Sequence, residues 1–274
     1  MINQLPNSKL YYILSLVILF EMLIVTLTGL FFDIYDNNKP EIITQAKGQD
    51  MVTLFVVIPL LISSLVLSNR GNIKADICYL GVLIYVSYTY LSYAFIGEYN
   101  TLLLLYINMF SFSTILLLSI CYQLDFNKKN CSIKPSMPYK ATGLFLISIS
   151  TLFLIVWLSE IISGILTNTI PEGVTQTNRN VIYVLDLGFL LPALLIFGYW
   201  MIQEKKIGVF ISGALLIKIF TLGLALLSMN VLSALNNEEI ELGKVILYFI
   251  ITLLSFFFTI AVFLNLDGPI RDED

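Results

Sequence analysis

Long apolar stretches alternate with short polar ones along the whole chain. Eight apolar runs, at about 10–32, 51–68, 76–96, 101–123, 140–165, 180–203, 207–229 and 244–266, carry almost no charge. A helix needs about 20 such residues to cross a hydrocarbon core roughly 30 Å thick. Within that core, only helices and closed barrels satisfy their own backbone polar groups. The pattern predicts an all-α polytopic membrane protein with eight transmembrane helices. No polar segment between spans exceeds about 18 residues, too few for a soluble catalytic or nucleic-acid-binding domain.

Composition agrees. Of 274 residues, 58% are hydrophobic and 12% charged, against about 25% charged in soluble domains. The first run follows Lys9, contains Glu21 and lacks a small-residue cleavage pattern, so it reads as a retained span and not a signal peptide. With eight spans the termini share a side with the second, fourth and sixth loops. That side holds Lys9, Arg70, Lys74, Lys128, Lys129, Lys134, Lys140, Lys205, Lys206 and Arg271; the other holds only Lys39, Lys47, Arg179 and Lys244. The bias predicts both termini in the cytoplasm of a cell-membrane protein. The outer loops are acidic, with Asp33, Asp36, Glu41, Asp50, Glu98, Glu172, Glu238, Glu239 and Glu241. Ordinary loop solvation explains them, and attraction of cations is the functional alternative.

The chain has no histidine, which excludes His-ligated metal sites and Ser-His-Asp hydrolysis. Cys78, Cys121 and Cys131 all fall near the reducing face, so no disulfide is expected. No cofactor or metal centre is expected either.

The two halves share an order of features. "FEMLIVTLTGLF" and "SEIISGILTNTI" place Glu21 and Glu160 inside the first span of each half, with Thr28 and Thr167 seven residues on. The next span of each half carries a proline, Pro59 and Pro192, and the third offers Gly81 and Thr89 against Gly213 and Thr221. These correspondences predict two parallel four-helix repeats, residues 1–139 and 140–274, related by an axis along the membrane normal. "GQDMVTLFVVIPLLISSLVLSNRG" and "VLDLGFLLPALLIFGYWMIQEKKIGVFISGALLIKIFTLGLALL" resemble segments of a group of uncharacterised bacterial and archaeal multi-span membrane proteins. The resemblance covers spans two, three, six and seven. It implies the same polytopic fold and no catalytic or binding residues, since no activity is assigned to that group.

Candidate chemistry rests on charges within the spans, which are costly there and usually face protein or water. These are Glu21, Glu160, Asp186 and Lys218. Asp186 and Lys218 read either as a buried ion pair fixing two helices or as a gating pair, while Glu21 and Glu160 read as groups that take up protons or cations. Gly81, Tyr85, Tyr88 and Ser92 fall on one helical stripe. Its phenols could satisfy Glu21 or line a pocket, whereas Tyr93 and Tyr99 suit an interfacial belt. Pro59 and Pro192 clash with the carbonyls of Phe55 and Gly188, predicting kinks with freed backbone acceptors. Asp50 is placed at the membrane surface, without a role.

The leading expectation is a transporter or channel for a small solute, proton or cation, with Glu21, Glu160, Asp186, Lys218, Tyr85, Tyr88, Thr28 and Thr167 near its path. The alternative is a non-transporting scaffold or sensor that binds a protein or lipid. An intramembrane lipid enzyme ranks last, because no H-E-x-x-H, G-x-S-x-G or paired-acid motif occurs. The bilayer is the one expected partner common to all three; nucleic acid is not expected.

Overall fold

The computed structural model describes residues 8–32, 34–96, 98–123, 132–171 and 180–267. Asp33, Lys128, Lys129, Cys131, Glu172, Arg179 and Arg271, used above in the charge, loop and cysteine assignments, lie outside them. Among the described residues are eight helices long and apolar enough to cross a membrane. They are α1 (Ser8–Phe31), α2 (Pro40–Asn69), α3 (Ile73–Ile96), α4 (Leu103–Gln123), α5 (Tyr139–Thr167), α6 (Asn180–Ile202), α7 (Lys206–Leu235) and α8 (Leu242–Leu264). The all-α polytopic expectation holds, with most ends within a few residues of their predicted places.

The largest departure is at α2. The polar segment "PEIITQAKGQD" led the sequence reading to start this span at Met51, yet the helix begins at Pro40. Pro40 in the first turn has no N–H to waste, and Glu41 beside it favours the positive helix end. These residues are polar because they face protein and not lipid: Thr44, Gly48, Gln49 and Asp50 are buried. Gly48 lets α2 lie directly on α7, since a Cβ there would come within 2.7 Å of the Met229 backbone. Asp50 is therefore not at the membrane surface but 1% exposed inside the bundle.

Both prolines follow a π-turn. Thr53–Val57 in α2 and Asp186–Leu190 in α6 are π-helical, closed by Ile58 N donating to Thr53 O and Leu191 N to Asp186 O. A proline expels the carbonyl four residues back from the ladder, and an extra residue in the turn accommodates it. In α6 the Leu191 carbonyl accepts from Ser150 Oγ of α5 at 2.8 Å. Each helix then ends ten residues past its proline, and a left-handed residue follows, Gly71 (φ 76°) or Glu204 (φ 59°).

The most enclosed helix is α7, packed by α2, α3, α6 and α8. Large apolar side chains on α5 and α8, such as Ile155, Ile162, Phe249 and Phe257, point outward, as a lipid-facing surface requires. At one end Ser132–Ile133 (β1) pairs antiparallel with Leu266–Asp267 (β2). This brings the α4–α5 connection to the end of α8, on one side of the bundle. At the other end Thr44 donates to Glu238 (2.7 Å) and Glu98 N donates to Asn38 Oδ1 (2.6 Å). The described parts of the α1–α2, α3–α4 and α7–α8 connections thus gather at one end, and the α4–α5 connection and the end of α8 at the other.

Candidate functional site

Lys218 lies on α7 at the centre of the bundle and is 0% exposed. Its ammonium sits 3.8 Å from the ring centroid of Tyr88 and 5.1 Å from that of Tyr85. Among the described residues Nζ has no hydrogen-bond partner. Ring faces attract a cation through their quadrupole but accept its N–H protons poorly, so the ammonium is held without being fully satisfied.

The two rings come from α3, three residues apart and so on one face. Their hydroxyls reach in different directions. Tyr85 OH receives Gln49 Nε2 and shares a 2.6 Å hydrogen bond with Thr53 Oγ1, both on α2. Tyr88 OH donates to Asp186 Oδ1 at 2.9 Å on α6, while Trp157 Nε1 of α5 donates to Oδ2 at 2.8 Å. Thr53 and Asp186 are the first residues of the two π-turns. The cation therefore stands between the irregular turns of α2 and α6, linked to each through one tyrosine.

This corrects the expected ion pair. Among the described residues Asp186 and Lys218 make no direct hydrogen bond; Tyr88 touches both, its hydroxyl on Asp186 Oδ1 and its ring 3.8 Å from Nζ. Glu160 is linked to the cluster at one remove: Tyr183 OH donates to its Oε2 at 2.6 Å, and the Tyr183 ring meets Trp157 edge-on at 5.3 Å.

Glu21 stands apart. It is 6% exposed and accepts from Asn108 Nδ2 of α4 at 3.2 Å, while Oε2 has no partner among the described residues. The bond shown comes from an amide on α4, not from a phenol of α3. Thr28 is half-buried on α1. Thr167 is exposed near the end of α5, bonded to Ser163 O and Thr169 Oγ1. Neither threonine joins the central cluster.

A second carboxylate site, missed in the sequence, surrounds Asp50. Tyr35 OH donates to Oδ2 at 2.8 Å and Tyr93 OH to Oδ1 at 2.9 Å. Tyr93 also lies within hydrogen-bond distance of the Ala46 carbonyl (3.0 Å), so it is an interior residue and not the belt residue expected. Tyr99 is 82% exposed in the α3–α4 connection. The rings of Tyr35, Tyr90, Tyr93 and Tyr106 pack with centroids 5.3–6.3 Å apart. Burial and the nearby Asp50 charge hold the Tyr35 phenol well above its ordinary range, so it remains a donor. Gly29 of α1 lies against Asp50 and Tyr35 where any side chain would collide. The available signal was the helical spacing of Gln49 and Thr53, i and i+4, in a segment opened by proline.

The chain is thus an integral membrane protein whose eight helices enclose a polar centre. Compared with known proteins, it matches no family profile, no curated protein and no solved structure.

Proposed function

We propose that the protein is a transporter of a small solute or ion, and that Lys218 is the charge that switches partner during its cycle. The observation carrying this reading is a fully buried ammonium with ring faces around it and, among the described residues, no hydrogen-bond acceptor. A lysine at a helix centre costs about 2.5–3.5 kcal/mol on insertion scales. Apolar replacements of buried ionic groups are often neutral or stabilising, so packing alone gives little reason to keep it. In the structure, Tyr88 donates to Asp186 while its ring lies against the Lys218 ammonium. Withdrawal of Tyr88 with α3 would free the carboxylate to meet the ammonium, and the π-turns give α2 and α6 the backbone slack for that movement. Glu160 would exchange protons or cations with this centre through Tyr183 and Trp157. Glu21, with one free oxygen, would act at a separate position.

The two four-helix halves are part of the proposal. Prolines, π-turns, helix ends, left-handed residues and the starts of α3 and α7 all recur in one common register. In that register Thr53 corresponds to Asp186, and Tyr85 to Lys218. The pairing of Gly81 with Gly213 and of Thr89 with Thr221 is then off by one residue. Equivalent residues meeting near an axis are what a parallel duplication predicts, and Lys218 lies over Tyr85.

A scaffold or sensor is the second reading. It draws on Asp50 and Asp186, each of which has both oxygens satisfied by side-chain donors. A pH jump applied to proteoliposomes on a solid-supported membrane separates the two. Transport chemistry at this centre predicts a transient charge displacement that Asp186→Asn reduces at least severalfold. No displacement, or one that this substitution leaves intact, favours the scaffold.

A further inference from the structure

The end of the bundle formed by the α3–α4 connection carries a cleft lined by Tyr93, Ala94, Glu98, Tyr99, Asn100, Leu103 and Tyr106. We propose that this cleft binds a small organic cation, an amine or a quaternary ammonium. Its floor is aromatic: the Tyr93 and Tyr106 rings lie 5.3 Å apart, tilted by 53°. Tyr106 is 1% exposed, and its hydroxyl lies against Tyr35 and the Asn100 side chain. The rim carries the Glu98 carboxylate and the exposed Tyr99 ring.

These groups select for positive charge. Ring faces and a carboxylate together recognise ammonium groups, and the interaction strengthens as the cation is desolvated. Asp50 lies directly behind Tyr93, and Asp36, Glu238, Glu239 and Glu241 add negative potential on the same side of the bundle. A hard metal ion fits poorly, because it needs about six oxygen ligands. Here the rim offers Glu98 and one amide, whose Oδ1 already accepts from Leu102 N. The transport reading bears only on what would follow binding, not on the site itself.

Calorimetric titration of the full chain in lipid nanodiscs with tetramethylammonium, at constant ionic strength, tests the assignment. Saturable binding is expected, weakened about three- to thirtyfold by Tyr99→Ala and by Glu98→Gln. Both side chains are exposed, so folding is unaffected, and Tyr122→Ala at the far end of α4 leaves binding unchanged. Absence of saturable binding overturns the proposal. So does binding that both rim substitutions leave intact, or equal competition by sodium, which would mean a metal-ion site. Binding with a silent charge-displacement assay keeps this site and removes the transport reading; the reverse result does the opposite.

Discussion

Lys218 and Asp186 make opposite demands on the fold, and substitution separates them. Lys218 has no hydrogen bond to lose among the described residues, so Lys218→Met fills the same space without desolvating a charge. Its stability should equal or exceed that of the native chain. Asp186→Ala instead orphans the Tyr88 hydroxyl and the Trp157 indole, at about 1–3 kcal/mol for each buried donor. Unfolding of purified protein in one detergent reads both effects. A several-kcal/mol loss for Lys218→Met would mean that the ammonium is structural after all. The sequence already marked both residues as exceptional, because charge in an apolar run is conspicuous. It could not show that Tyr88 touches both, since that ring belongs to α3, nearly a hundred residues before Asp186.

At the scale of elements, the crossing of α2 and α7 holds the Asp50 and Lys218 regions in register. Gly48→Val would drive side-chain carbons into the Met229 backbone, and overpacking of this kind costs about 1–3 kcal/mol. The same unfolding measurement detects it, with Gly243→Ala, where a Cβ meets open space, as the control. Helix ends were readable where lipid sets the composition, and α5 and α8, the outward helices, lie close to their predicted bounds. The first part of α2 was not readable from hydropathy. Hydropathy reports the solvent of a helix, and this segment is solvated by other helices. The prolines were legible as breaks in the ladder; their resolution into π-turns, closed by Ile58 N on Thr53 O and Leu191 N on Asp186 O, was not.

For the whole molecule, the eight crossings place Tyr99 and Ser136 on opposite sides of the bilayer. In a background without native cysteines, a membrane-impermeant thiol reagent should label Tyr99→Cys on intact cells. It should label Ser136→Cys only after permeabilisation, if the lysine and arginine bias sets the orientation. The opposite result would invert the assignment of the outer cleft. Count and alternation of spans were legible in the sequence because length and apolarity determine them. The polar centre was legible only in parts: Tyr85, Tyr88, Asp186 and Lys218 stood out, while Gln49, Thr53 and Asp50 lay in a segment taken for loop or lipid boundary. Glu21 and Glu160 were read as equivalent members of one site, yet they find different partners on different helices.

Lys218, a cation without a hydrogen-bond partner among the described residues, is by this account kept for work and not for packing. The most direct test is the charge displaced by a pH jump in proteoliposomes containing native protein or Lys218→Met at equal, folded amounts. The account predicts a transient in the native protein and its loss in a variant of undiminished stability. A transient of the same size in Lys218→Met would contradict it.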